Sequence, residues 1–375
     1  MKIAIYQLRA SYYVGGGEVV SLEHARYLSA LDHQITLVTT RASFIIESDY
    51  FKRFKKENPQ ITIQYIKVPE RLRWIYRTKP GINWKRWDLE SCHVGGYARA
   101  FFDKNRYDII ALHNILDSLA APSDVPSALH LHGCPPAINY MQELALTIPW
   151  KCIAVSQFVK KEWKRLVPWL HNLAVGTNGI DSTRFCLPKS EAKKYDVLFV
   201  GRLLANKGIF DAVEAIKILK STLNIQMAIA GAGPEKKKIQ RLVKKYNLSK
   251  NIHLLGYISD DKLVALYQGA KIAVLPSTDR EGILTTMLEA ASCGVPVITC
   301  DACSMSEFVT HNKTGILVPT HNSKRIAGNI RLLLTNETLR DRIAVHARLS
   351  IEKKWDWHIK IQSVEKIYER ILRHR

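Results

Sequence analysis

The sequence predicts an α/β protein of two doubly wound domains. Two observations carry this expectation. Short apolar runs alternate with segments of helical apolar spacing, the grammar of parallel strand–helix units. The same grammar then restarts in the second half. Ile3 to Leu8 leads through Gly15-Gly16-Gly17-Glu18 into a helix ending near Leu28. Asp196 to Val200 leads through Gly201-Arg202-Leu-Leu-Ala-Asn-Lys207-Gly208 into a helix from Phe210 to Leu219. The chain of 375 residues is long enough for two cores, and its 47% hydrophobic and 24% charged content is that of a globular protein.

Composition narrows the partners. A net charge of +21 points to an anionic partner such as phospholipid headgroups, nucleic acid or phosphate-bearing substrates. The seven cysteines have no regular framework, which fits reduced thiols in a cytosolic protein. Cys300-Asp-Ala-Cys303 has no second pair to complete a zinc site. Met1-Lys-Ile-Ala-Ile-Tyr enters a strand directly, and neither a secretory signal nor an apolar run of about 18 residues occurs. Membrane contact is therefore expected to be peripheral and the location cytoplasmic.

In the first half, Gly15 to Gly17 allow close backbone approach to a ligand. They do not form G-x-G-x-x-G, so a nicotinamide cofactor is not indicated. Ile35 to Thr40 reads as the second strand. Arg71 to Trp87 holds six basic residues and three tryptophans and no acidic residue. Arg71, Arg73, Trp74, Arg77, Trp84, Lys85, Arg86 and Trp87 suit a membrane interface or an acceptor surface, where rings sit at headgroup level beside cations. The same mixture could stack nucleic-acid bases, or the tryptophans could pack on the domain; Pro80-Gly81 excludes one continuous helix. Tyr107 to His113 and Ser127 to His132 read as strands ending in histidines, at the strand ends where open sheets place ligands. A metal on His113, His130 and His132 is a weak reading, because no carboxylates accompany them; no metal is expected. Lys151 to Ser156 is a further strand, followed by a helix from Gln157 to Leu166, and Pro188 through Lys194 reads as a linker.

In the second half, Arg202 and Lys207 flank a strand–helix turn that suits two cations converging on a diphosphate, or two solvated charges. Ile225 to Ala230 and Ile252 to Tyr257 are strands, and a helix starts at Asp260. Ile272 to Leu275, a polar turn, a helix opening near Gly282 and the run Val295 to Thr299 then form a strand–loop–helix–strand unit. Its helix N-terminus is a natural anion site, bracketed by Glu281 and Glu289. A nucleotide sugar fits that layout, with phosphates on the amides and sugar and ribose hydroxyls on the two carboxylates. An ordinary α/β unit with a solvated Glu281 and a capping Glu289 fits it too. The segment from Trp355 to Arg375 is helical and basic.

Glu281 to Glu289 resembles the Glu-x7-Glu signature of retaining glycosyltransferases of the GT-B fold, in particular glycosyltransferase family 4. Ala290-Ala-Ser-Cys-Gly-Val-Pro-Val-Ile298, Gly201-Arg-x5-Lys-Gly208, Gly231-Ala-Gly-Pro, Asn178-Gly-Ile-Asp-Ser-Thr-Arg-Phe185, Gly315-Ile-Leu-Val-Pro and His132-Gly133 are similar to family motifs and come in family order. Leu284 stands where many members carry Gly, and Gly133-Cys134 departs after His132. The resemblance implies two Rossmann-like domains facing a central cleft. They are expected over residues 1–187, which take the acceptor, and 188–354, which take the nucleotide sugar, with 355–375 returning to the first. It implies transfer of a hexosyl unit, with retention, from a UDP- or GDP-linked sugar to a saccharide or lipid-linked hydroxyl in cell-surface glycan synthesis.

Arg202 and Lys207 are then expected on the diphosphate with the amides of Leu284, Thr285 and Thr286, next to Gly282. Glu281 is expected on the sugar, Glu289 on the ribose, and Gly256 and Tyr257 near the base. Gly16 and Gly17 would face the phosphates, and His132 would orient the sugar. No Asp-x-Asp occurs, so neither metal nor other cofactor is required; the partners are the donor, the acceptor and an anionic membrane surface on the inner face. The alternatives are a nucleotide-sugar epimerase or sugar phosphorylase of the same fold, and a nucleic-acid-binding protein, which would leave both glutamates unexplained.

Overall fold

The computed structural model describes residues 1–77, 84–135, 138–188 and 193–373; the side chains at 84 and 85 lie outside it. Two parallel sheets organise the chain. The first contains β1 (Lys2–Tyr6), β2 (Gln34–Arg41), β3 (Thr62–Lys67), β4 (Ile109–Leu112), β5 (Ser127–Leu131), β6 (Lys151–Ala154) and β7 (Leu173–Val175). Their order is β3-β2-β1-β4-β5-β6-β7. The second contains β8 (Tyr195–Val200), β9 (Met227–Ala230), β10 (Ile252–Gly256), β11 (Ala270–Leu275), β12 (Val297–Cys300) and β13 (Ile316–Val318). Their order is β10-β9-β8-β11-β12-β13.

The strands are short apolar runs because helices cover both faces, so neither alternate side of a strand meets water. Ile3, Ile5, Ile110 and Leu112 in the first sheet and Val197, Leu198, Ile272 and Val274 in the second are all fully buried. Each such side chain contributes about 1.5–3 kcal/mol of hydrophobic stabilisation. Strand order reverses between β1 and β4, and between β8 and β11, and these switch points are where doubly wound sheets leave a crevice for ligands. The loop after β1 leads into Gly16–Gly17, which open a helix, and the loops after β8 and β11 carry Arg202–Lys207 and Glu281.

Two compact units result: residues 1–177 with 360–375, and residues 178–359. The division falls ahead of the 187/188 boundary expected from the polar stretch, of which 189–192 lie outside the described residues. The reason is packing. Ile180 and Phe185 are buried in the same apolar cluster as Met287 and Leu288. The Ile180 N–H donates to the Trp355 carbonyl at 2.9 Å, and Arg348 Nη1 reaches the Phe185 and Ser292 carbonyls at 2.9 and 2.7 Å. The helix Trp357–Arg373 begins in the second unit, and from Lys360 onward it belongs to the first, where Val364 and Tyr368 are fully buried.

The basic aromatic stretch divides in two. A 3-10 segment, Glu70–Arg77, precedes the helix Trp84–Lys104, and Pro80-Gly81 lies outside the described residues. Arg71, Arg73, Trp74 and Arg77 are exposed. Arg86 and Trp87, expected on the surface, are 4% and 8% exposed. Trp87 packs against the Tyr13 ring at 5.0 Å beneath the Arg9 guanidinium, and Arg86 lies over Tyr76 at 5.3 Å. These two residues belong to the core of the first unit and are withdrawn from the surface set.

Candidate functional site

In the second unit, three loops after β8, β9 and β11 close on one another through glycines. Gly208 adopts φ +66°, and a Cβ there would fall 2.0 Å from the Pro276 carbonyl oxygen. Gly231, at φ +144°, would place a Cβ 1.8 Å from the Gly201 carbonyl oxygen. No other residue type permits either approach. Polar contacts complete the closure. The Thr278 N–H donates to the Asn206 carbonyl at 2.9 Å, and Asn206 Nδ2 donates to Glu281 Oε1 at 3.1 Å.

Lys207 Nζ lies 2.7 Å from the same Glu281 oxygen, with both side chains about 15% exposed. Asn206 and Lys207 therefore fix Glu281 in one position, next to Arg280, which holds a positive φ of 56°. Non-glycine residues in that region are uncommon and recur at sites where the backbone is held for function. Arg202 is exposed and forms no ion pair among the described residues. An incoming dianion would meet Arg202 directly and Lys207 through its pair with Glu281.

The following helix runs from Thr285 to Ser292, opening three residues later than the sequence indicated. Gly282 to Leu284 stand ahead of the helix, with Leu284 extended and Ile283 and Leu284 drawn into the core, 6% and 7% exposed. Leu284 provides no side-chain cap to the first-turn amides at Thr285 and Thr286. Glu289 accepts a hydrogen bond from the Tyr267 hydroxyl at 2.7 Å through Oε2. Burial pushes its carboxyl up, while the Tyr267 bond and the Arg184 charge pull it back. At the end of β10, Gly256 has φ +72° and open space around it, and Tyr257 is 70% exposed.

In the first unit, the helix Gly16–Ser29 opens directly at the glycine loop. A Cβ on Gly17 would meet the His132 ring at 3.4 Å, so the loop and that histidine are neighbours. Glu18 turns inward, where Arg9 Nε donates to it at 3.3 Å. Arg9 also lies 3.5 Å from Glu90, which accepts hydrogen bonds from Tyr12 and Tyr76 at 2.9 and 2.6 Å. Asp117, bonded by Ser91 at 2.6 Å, is pushed up to about 6 by burial against the pull of Arg9. This buried network anchors the loop after β1.

His132 Nε2 lies 3.0 Å from His113 Nδ1, and His130 Nε2 lies 2.7 Å from the Tyr368 hydroxyl. Burial holds all four clustered histidines neutral, His132 at about 4 and His24 at about 3. Among the described residues, the group placed to hold a metal is His24, His113 and His130, with ligand atoms within 4.8 Å; His24 replaces the His132 of the sequence-derived trio. The His113 and His130 rings are parallel to within 5° at 4.8 Å. Nitrogen lone pairs lie in their ring planes, so stacked parallel rings direct them side by side and not onto one ion.

Asn206, Tyr267, Arg9, Glu90 and His24 escaped the sequence reading. Asn206 stands inside Gly201-Arg-x5-Lys-Gly208, and its place before Lys207 was the available signal. Nothing local marks the other four, most of whose partners are distant in the chain.

Residues 14–184 match the family model described as Glycosyltransferase Family 4, and residues 186–350 match that described as Glycosyl transferases group 1. The chain belongs to this family of glycosyltransferases. It is 28% identical over 204 residues to glycogen synthase of Mycobacterium tuberculosis (strain CDC 1551 / Oshkosh), covering 54% of this chain and 49% of that protein. It is 28% identical over 254 residues to the capsular polysaccharide biosynthesis glycosyltransferase CapM of Staphylococcus aureus, covering 62% of this chain and 65% of CapM. The chain thus spans about half the length of the first of these relatives, and just under two thirds of the second. The crystal structure of Anabaena Alr3699/HepE in complex with UDP and glucose superposes with a TM-score of 0.78 over 98% of this chain and 99% of that one, at 18% identity. The fold is GT-B, with two Rossmann-like domains.

Proposed function

We propose that the protein is a retaining, metal-independent hexosyltransferase acting in cell-surface polysaccharide synthesis. It takes the sugar from a nucleoside diphosphate donor and passes it to a hydroxyl of a saccharide or lipid-linked acceptor. The observation that carries this reading is the Lys207–Glu281 pair at 2.7 Å beside a helix start without a side-chain cap. Arg202, Lys207 and the amides at Leu284 to Thr286, with Gly282, stabilise the diphosphate as charge develops on it. Once the diphosphate engages Lys207, Glu281 is released to accept sugar hydroxyls. Glu289 keeps Oε1 for the ribose, Gly256 and Tyr257 border the base, and Gly16, Gly17 and His132 keep the donor-facing roles that the family resemblance implies.

UDP in the HepE complex favours UDP over GDP as the donor nucleotide, and CapM's role in capsular polysaccharide biosynthesis favours a glycan acceptor. Among the described residues, no helix is long and apolar enough to cross a membrane. Membrane association at the inner face then falls to the exposed Arg71, Arg73, Trp74 and Arg77. Calorimetric titration with UDP, GDP and NAD in EDTA tests the donor site. Binding of one diphosphate nucleotide without metal is expected; NAD binding in its place would overturn the reading. Proton NMR of the first product resolves retention from inversion at the anomeric carbon.

A further inference from the structure

A groove of 860 Å³ opens in the first unit beside the edge strand β3 and the helix Asp49–Glu57. β2 and β3 end side by side, and their last pair in register is Arg41 opposite Lys67. Both are exposed, both line the groove, and neither forms an ion pair among the described residues. Arg41 is held over the Tyr65 ring at 5.4 Å, which orients its guanidinium. Lys52 adds a third cation, tied among the described residues only to the 98%-exposed Asp49, a surface pair that solvent screens.

The acid in the wall is already matched. Glu47 accepts from Lys55 at 2.7 Å and from the Tyr65 hydroxyl at 2.6 Å. Burial opposes ionisation of Glu47, yet these two hydrogen bonds, with the charges of Lys55 and Arg41, outweigh it and hold the carboxyl below its ordinary range. The groove therefore presents an excess of positive charge from Arg41, Lys52 and Lys67.

It also lies at the ligand-binding end of the sheet. Thr40 N–H donates to the Leu8 carbonyl at 3.1 Å, Ser11 Oγ to the Thr40 carbonyl at 2.8 Å, and Ser48 N–H to the Ser11 carbonyl at 2.9 Å. The groove wall is thus fastened to the loop after β1 that leads to Gly16 and Gly17. Cations on an edge strand also deter strand pairing between molecules, but that purpose requires neither the stacked Arg41 nor the neutralised Glu47.

We propose that this groove binds an anionic group, a phosphate or a carboxylate, on the saccharide acceptor, with Arg41 and Lys67 as its main contacts. The inference rests on the glycosyltransferase reading and specifies its acceptor. It is tested with the full chain by calorimetry against UDP, mannopentaose, mannopentaose 6-phosphate and tetragalacturonate. One of the two anionic oligosaccharides should bind at least tenfold more tightly than mannopentaose, and which one does identifies phosphate or carboxylate as the recognised group. The double variant Arg41→Ala/Lys67→Ala should lose that tenfold while binding UDP as before. The double variant Lys56→Ala/Lys104→Ala, an equal loss of exposed charge outside the groove, should retain it. Equal affinity for charged and neutral oligosaccharides, or an unaffected double variant, overturns the proposal. Failure of the unmodified protein to bind UDP would count instead against the donor reading, and the oligosaccharide comparison would still decide the groove.

Discussion

Glu281 is held by two cationic or amide donors, Lys207 at 2.7 Å and Asn206 at 3.1 Å. Glu281→Gln keeps its size and should leave UDP binding and the fold intact while lowering transfer by about 10²–10³, the range seen when one electrostatic contact to a transition state is removed. A fully active variant would remove Glu281 from the chemistry. Gly208→Ala should cost at least about 1–3 kcal/mol, from strain at positive φ and collision with Pro276. Urea unfolding would read this, and an unchanged midpoint would contradict the geometry. The histidine stack sets a pH dependence. His24 and His132 sit at about 3 and 4 in the folded protein, against an ordinary 6.5, so between these values the unfolded chain binds more protons. Their contribution to stability is complete above pH 6.5 and is lost as the pH falls towards 4; His113 and His130 shift in the same direction. Asp117, raised to about 6, acts in the opposite sense, as do the raised Glu18, Asp88 and Glu289, but the ordinary values of these carboxylates, 3.8 to 4.5, put most of their effect below the range from pH 7 to pH 5 in which the histidines act. Urea midpoints should therefore fall from pH 7 to pH 5, and a flat profile would refute the assignment.

At the scale of elements, two of the three tryptophans of the basic stretch separate by role. Trp74, 49% exposed on the 3-10 segment, should be replaceable by Ser within about 0.5 kcal/mol, with any effect confined to sedimentation with anionic vesicles. Trp87→Ala should cost about 3–5 kcal/mol, because the side chain is enclosed by Tyr13 and Arg9. Equal stability of the two variants would disprove the division. From sequence, Trp74 and Trp87 look alike, since both neighbour arginines; what separates them is a helix whose inward face meets Arg9 and Tyr13, over seventy residues away. The loop motifs were legible because their chemistry is local. Gly208 and Gly231 take positive φ in turns that directly follow the apolar runs of β8 and β9, although the backbone they approach, at Pro276 and Gly201, is distant in the chain. β3 and β7 went unread, being a half-exposed edge strand and a strand of three residues. The domain boundary was misplaced for a related reason. A polar, Lys-rich stretch resembles a linker, but Ile180 and Phe185 decide the matter by burying themselves in the second core.

Across the whole molecule, the chain passes between its units twice, at 177/178 and again at 359/360. Truncation after Ile359 removes Ile361, Val364 and Tyr368, each no more than 1% exposed, from the first unit. Calorimetry should then show loss of the first unit's transition with the second preserved; two intact transitions would show that the last helix is dispensable. That arrangement also governs the order in which the protein can be completed as it is made. The first 177 residues leave the ribosome with a vacant apolar slot, and the residues that fill it follow the whole of 178–359. At about 5–20 residues per second, the wait is on the order of ten to forty seconds. During that interval the second unit, which is contiguous in the chain, can finish first. The first unit keeps that slot open until residues 360–375 follow.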